Sequence, residues 1–314
     1  MATTTVPNQE IPVQVTAPPK IRKRSFVRGE TIWGWIFILP ALVGFIAFYL
    51  LPTVRAFQIG MTNWNLLGAA KYVGFANYQK LFQDEKFWKS MWVTLLYVIY
   101  NIPAQTILSL LLAVLLDRFT KSVFVRTIML VPYLISNVIV AMIWLWMLDP
   151  ILGVANFMLD AIGLGKHAFF SDTLTALPAI AAVNTWRHMG FTALLFYTGL
   201  TTIPRYLYES ARIEGASEWR IFRSVTLPLL RPTMVFVLVT SVIGSFQIFD
   251  TIAVTTQGGP ANSTRTIVWY IYQTAFSNMR MGYASAMSCV LFLGLVLVTL
   301  LQMRLMRSGE TDLQ

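Results

Sequence analysis

The feature that most limits what this chain can fold into is a series of long runs without one charged residue. They are Thr31–Val54, Ser90–Leu116, Thr127–Leu148, Pro232–Phe249 and Met281–Met303. A helix needs about 20 apolar residues to cross a hydrocarbon layer roughly 30 Å thick, and each run is of that order. A sixth stretch, Leu174–Ile203, is long enough but holds Arg187 and His188 within it. Barrel strands are short and alternate in polarity, so runs this uniform predict helices, whose backbone groups bond within the segment. The expected fold class is therefore an all-α integral membrane protein with six transmembrane helices. Composition agrees: 56% of the residues are hydrophobic and 12% charged. Soluble domains carry roughly 25% charge, so too little polar surface remains to coat a globule in water. The single Cys289 excludes an intrachain disulfide framework.

A net charge of +10 raises the question of nucleic acid, and the placement of the charge answers it. With both termini cytoplasmic, the inner segments hold Lys20, Arg22, Lys23, Arg24 and Arg28, then Arg118, Lys121 and Arg126. They continue with Arg205, Arg212, Arg220, Arg223 and Arg231, and end with Arg304 and Arg307, which makes 15 in all. The outer segments hold 8: Arg55, Lys71, Lys80, Lys86, Lys89, Lys166, Arg265 and Arg280. Lys and Arg accumulate in cytoplasmic loops, so the asymmetry orients the protein and no nucleic-acid partner is needed.

Residues 1–28 are polar, with Pro7, Pro12, Pro18 and Pro19 and no apolar period, and read as a disordered cytoplasmic tail. Residues 309–314 form a short cytoplasmic C-terminal tail. The apolar run begins too late for a signal peptide. Two outer loops carry helical periodicity of their own, Phe75–Trp88 and Gly153–Gly163, and read as short interfacial helices. No internal repeat is evident.

The inner segment 204–232 has a distinct organisation. Pro204 opens a helix, Tyr206–Ile213 continue it, and Gly215 turns the chain without a Cβ penalty. Ala216–Val225 form a second short helix, with Trp219, Phe222 and Val225 on one side, before Pro228 and Pro232 restart the chain. On composition alone this amphipathic helix–turn–helix suits either a protein partner or the lipid headgroups. The run Glu209-Ser-Ala-Arg-Ile-Glu-Gly-Ala216, continued by Leu227-Pro228, resembles the EAA coupling loop of ABC-importer permeases. It differs at Ser210, where Ala is usual, and at Glu214, where Asp is usual. The resemblance implies that Glu209, Ala211, Gly215, Ala216, Leu227 and Pro228 dock on a cytoplasmic ATPase. A second block resembles the carbohydrate-uptake permeases of the maltose and glycerol-phosphate type. It comprises Phe246–Asp250, Thr256–Thr264, Tyr270–Phe276 and Met281–Ala286, and the likeness spans about residues 32–305. It implies a type I importer permease domain at 29–308 in a bacterial inner membrane. The implied partners are a second homologous permease, an ABC ATPase dimer, an extracytoplasmic solute-binding protein, a sugar and membrane lipid.

The chain contains no Walker A loop. Gly163-Leu-Gly165-Lys166-His167 lacks both the earlier Gly and the Ser or Thr after Lys. With only His167 and His188 there is no metal cluster and no triad signature. The expectation is a transporter subunit, not an enzyme, that binds no cofactor; ATP and Mg belong to the partner ATPase.

Polar residues in a bilayer usually line a cavity or pathway. The substrate-pathway candidates are Asn184, Trp186, Arg187, His188 and Phe191 on helix four, and Ser241, Ser245, Gln247 and Asp250 on helix five. Planar polar groups beside aromatic faces suit sugars, and the resemblance implies sugar contacts near His188, Phe191, Ser241 and Ser245. An Arg187–Asp250 structural ion pair is the competing reading, and Asp117 and Arg118 read as an interfacial cap. The expected function is import of a sugar, with a polyol or glycerol-phosphate as the alternative. A stand-alone secondary transporter would have no use for the coupling loop.

Overall fold

The computed structural model describes residues 28–120 and 122–307. The two predicted tails and Lys121 lie outside the described residues, except for Arg28, which opens the first helix. Among the described residues the regular elements are helices, joined by loops and turns, with one isolated bridge between Thr62 and Tyr72.

Residues 28–53 make a unit of their own. Helix α1 (Arg28–Phe45) runs through one π-helical turn, Ile46–Leu50, into α2 (Leu51–Gly60). Its large side chains Trp33, Phe37 and Phe48 are exposed at 62%, 79% and 78%. A helix apolar on every side is one built for lipid or for a core.

The second unit, from Val54 onward, contains the remaining helices. Helix α3 spans Ala76–Phe82 and α4 spans Glu85–Phe119. The single outer helix expected over Phe75–Trp88 is thus two elements, because Asp84 caps α4. Its Oδ1 accepts from the amides of Lys86 (2.9 Å) and Phe87 (3.4 Å). At 35 residues, α4 is about 50 Å long and outruns its charge-free stretch at both ends.

The third predicted span is not one helix. Helix α5 (Val123–Leu134) and α6 (Asn137–Met147) meet at a bend of 91°. Pro132 lies in the last turn of α5, where it supplies no backbone N–H and crowds the preceding turn. Ile135 and Ser136 are then extended. After α7 (Val154–Ala161) comes α8 (Ala176–Thr201), followed by α9 (Arg205–Ile213) and α10 (Glu218–Ile221). A π-helical turn, Phe222–Thr226, and the short α11 (Leu227–Leu229) lead into α12 (Arg231–Phe246). The second inner helix is therefore shorter than the expected Ala216–Val225. Ser217 caps it, and Phe222 onward belongs to the wider turn. Helix five also ends early: α12 stops at Phe246 and α13 (Asp250–Thr255) resumes after three residues. Helix α14 (Ile267–Tyr272) and α15 (Met281–Arg307) complete the chain.

Among the described residues, four helical stretches are long and apolar enough to cross a membrane: Trp33–Gly60, Glu85–Phe119, Arg231–Thr255 and Met281–Met306. The bent α5–α6 pair makes a fifth if it counts as one span. Helix α8 is 26 residues long, but its polar residues keep it out of that set. Its role is to pack: it lies along α4, with α5 and α12 also against it. Small residues allow this. A Cβ on Gly190 would sit 1.9 Å from the Met129 carbonyl oxygen, so α5 rests on bare α8 backbone there. Arg126 of α5 donates to the Tyr197 hydroxyl at 2.6 Å and covers its ring at 4.2 Å.

At the end that carries α3 and α14, the other oxygen of Asp84, Oδ2, accepts from the hydroxyls of Tyr270 (2.8 Å) and Tyr283 (2.7 Å). Burial works to raise the Asp84 pKa. The two tyrosine hydroxyls and the backbone amides outweigh it and hold the carboxyl below its ordinary range. Burial and the same bond push the Tyr270 phenol up to about 12.

Candidate functional site

Helix α4 shows how local sequence builds the site. Ser90, Thr94, Asn101, Gln105 and Ser109 recur at helical spacing and are all buried, forming one polar stripe that meets the start of α14 through Ser90 and Thr94 and meets α8 and α12 through the other three. Asn101 Nδ2 donates to Ser245 Oγ at 3.1 Å, and Thr185 Oγ1 donates to Asn101 Oδ1 at 3.1 Å. Gln105 Nε2 donates to Thr192 Oγ1 at 2.9 Å. Farther along, Asn184 Nδ2 donates to Thr251 Oγ1 at 3.1 Å. Polar groups that meet one another across α4, α8, α12 and α13 bind those helices together without exposing the groups to lipid.

Beside this network lies a cavity of about 370 Å³, bounded by α4, the α5–α6 bend, α8 and the break between α12 and α13. Seven of the predicted pathway residues line it: Asn184, His188, Phe191, Ser241, Ser245, Gln247 and Asp250. Phe191 stacks on Tyr133 with centroids 4.4 Å apart and planes 8° from parallel. His188 Nδ1 lies 2.9 Å from the Asn184 carbonyl oxygen, which only accepts, so Nδ1 carries the proton. Its Nε2 then receives Arg187 Nη1 at 3.0 Å. The imidazole is thus a neutral tautomer with both nitrogens engaged.

Trp186 and Arg187 do not line the cavity. Trp186 meets Trp144 of α6 edge-on at 5.4 Å. Arg187 Nη2 donates to the carbonyls of Tyr133 and Ile135, each at 3.0 Å, and Nε donates to Ile135 at 3.3 Å. The guanidinium therefore caps the frayed end of α5 at its bend. Asp250 accepts from Asn137 Nδ2 at 2.9 Å. Sequence reasoning missed Asn101, Gln105 and Thr192, and the signal was available: two amides four residues apart in a charge-free run.

The second candidate surface is the inner helix–turn–helix. Gly215 has φ +76°. Its amide bonds Arg212 O and that of Ala216 bonds Ala211 O, both at 3.0 Å, which is the Schellman closure that favours Gly at this place. Ala211 and Ala216 are half-buried, as is Leu227, whereas Glu209, Gly215 and Pro228 are exposed. Ile213 and Trp219 stand 87% and 69% exposed. Below them is a hollow of about 410 Å³ lined by Arg118, Arg205, Tyr208, Glu209, Arg212 and Glu218. Glu218 forms ion pairs with Arg212, at 3.3 Å, and with Arg118 at the end of α4. The hydrogen bond from Arg212, aided by Arg118, holds the Glu218 carboxyl below its ordinary range. Arg118, read from sequence as an interfacial cap, is thus a tie from α4 to this segment.

Residues 76–308 match the family model described as the binding-protein-dependent transport system inner membrane component. The chain belongs to this family. It is a multi-pass inner-membrane ABC-transporter permease subunit and not an enzyme, since ATP is hydrolysed on a separate subunit. The resemblance drawn from residues 209–228 is in this way upheld. The trehalose/maltose transport system permease protein MalF of Thermococcus litoralis is 32% identical over 271 residues, covering 86% of this chain and 90% of that one. The sn-glycerol-3-phosphate transport system permease protein UgpA of Agrobacterium fabrum is 30% identical over 286 residues, covering 90% and 97%. Among solved structures, a bacterial alginate ABC transporter in complex with alginate pentasaccharide-bound periplasmic protein aligns with a TM-score of 0.79 at 25% identity. That alignment covers 90% of this chain and 97% of the other.

Proposed function

We propose that this permease carries a sugar through the cavity between α4, α8 and α12, powered through the segment 204–232. The assembly is this chain, a second homologous permease, two ATPase subunits and an extracytoplasmic solute-binding protein. ATP and Mg are used by the ATPases alone. The chain crosses the membrane six times, counting the bent α5–α6 pair and α8, with both termini cytoplasmic and residues 29–308 as the transmembrane domain. Support for the sugar comes from the amide and hydroxyl groups around the Tyr133–Phe191 stack and from relatives such as the trehalose/maltose permease. A glycerol-phosphate or polyol cargo is the second reading, favoured by the relative named for glycerol-3-phosphate.

One observation carries the coupling role. The exposed α9–α10 surface is tied by Glu218 to Arg118 at the end of α4, the helix whose Asn101 and Gln105 line the cavity. Glu209, Ala211, Gly215, Ala216, Leu227 and Pro228 form the docking surface. A push on α9 then moves a cavity wall, the rigid-body route by which packed elements switch access. The test uses the assembled transporter in proteoliposomes. Glu209→Lys and Gly215→Val, the latter strained by about 1–3 kcal/mol at a positive φ, should insert normally. Both should lose the ATP hydrolysis that the loaded binding protein stimulates. Full stimulation in both would remove the coupling assignment.

A further inference from the structure

We infer that the cavity is built for a neutral, polyhydroxylated ligand and rejects anions; this rests on the pathway role proposed above and names its substrate class. None of the residues that line the cavity is Lys or Arg. His188 is held neutral, its Nδ1–H given to Asn184 O and its Nε2 occupied by Arg187. Arg187 is the cation next to the cavity, but its guanidinium faces the α5–α6 bend, with Nε and Nη2 on two carbonyls and Nη1 on His188. The charged group that does line the wall is the carboxylate of Asp250.

A phosphate or carboxylate leaving water needs a paired cation or a fork of charged donors, and without one its burial is strongly unfavourable. Here it would meet a carboxylate instead. A neutral sugar has the opposite fit. Its hydroxyls find Ser241, Gln247 and the α4 amides, while its C–H face lies on aromatic rings such as the Tyr133–Phe191 stack.

The test reads the charge preference of the cavity directly. The assembled transporter carries Cys289→Ser together with Ser241→Cys or, as a second reporter, Gln247→Cys. Each is treated with a cationic, a neutral and an anionic methanethiosulfonate, with rates normalised to a free thiol. The anionic reagent should react about tenfold more slowly than the neutral one, a size reasonable for one nearby charge in partly screened surroundings. Adding Asp250→Asn should close most of that gap. An anionic rate within about twofold of the neutral rate, or protection of the thiol by glycerol 3-phosphate, would overturn the proposal and leave the pathway role standing. Failure of the neutral reagent to modify either thiol would instead overturn the pathway role, and the proposal with it.

Discussion

An arginine within a membrane-crossing helix is unfavourable by about 2.5–3.5 kcal/mol on insertion scales. On the proposed topology α8 is such a helix, and Arg187 meets the cost by bonding backbone carbonyls that the α5–α6 bend leaves open. Truncation would strip both carbonyls of a partner, at about 1–3 kcal/mol each. Arg187→Ala should therefore lower the unfolding midpoint and the yield in detergent. Adding Asp250→Asn should give no recovery, because the carboxylate bonds Asn137; recovery in the double variant would reinstate an ion pair. Asp84 makes a pH-dependent contribution at the other end of the molecule. Its pKa lies below the unfolded value of 3.8, so its stabilisation is complete above that pH and fades as the pH falls through the folded pKa. Unfolding midpoints measured down through this range should show an acid decline that Asp84→Asn flattens, and an unchanged slope would contradict the assignment.

At the level of elements, the decisive joint is where α4 ends against α9 and α10. Glu218, Arg118 and Arg212 are each about half exposed, and exposed ion pairs contribute about 0–1 kcal/mol. Glu218→Ala should leave the unfolding midpoint almost unchanged. If the joint transmits force, the same variant should reduce stimulated ATP hydrolysis by about two- to fivefold, the factor that 0.5–1 kcal/mol represents. Wild-type stimulation in Glu218→Ala would mean that α9 acts on the cavity by another route. The Schellman closure at Gly215 complements this joint, since it fixes the turn that leads from α9 into α10.

For the whole molecule, the proposed orientation rests on the 15 inner against 8 outer Lys and Arg residues it assigns. In a Cys289→Ala background, a cysteine at Ser171 should react with an impermeant thiol reagent added to intact cells. One at Ser224, on the α10–α12 side, should react only after permeabilisation. The reverse pattern would invert the topology and move the ATPase surface elsewhere.

The membrane class, four of the apolar spans, the turn at Gly215 and the family were all legible in the sequence. Each rests on local chemistry: apolar length, a glycine free to adopt positive φ, and a short motif. The polar stripe of α4 was legible too, but its meaning was not, because Asn101 finds Ser245 144 residues away. Tertiary structure alone decided that the Thr127–Leu148 run breaks into α5 and α6. Pro132 weakens that helix from within, but only Arg187, arriving from α8, satisfies the carbonyls the break exposes. It likewise turned Arg187 and Trp186 away from the cavity while leaving His188 on its wall. Neighbours on one helix point in different directions, and which direction faces water is settled by the helices packed around it.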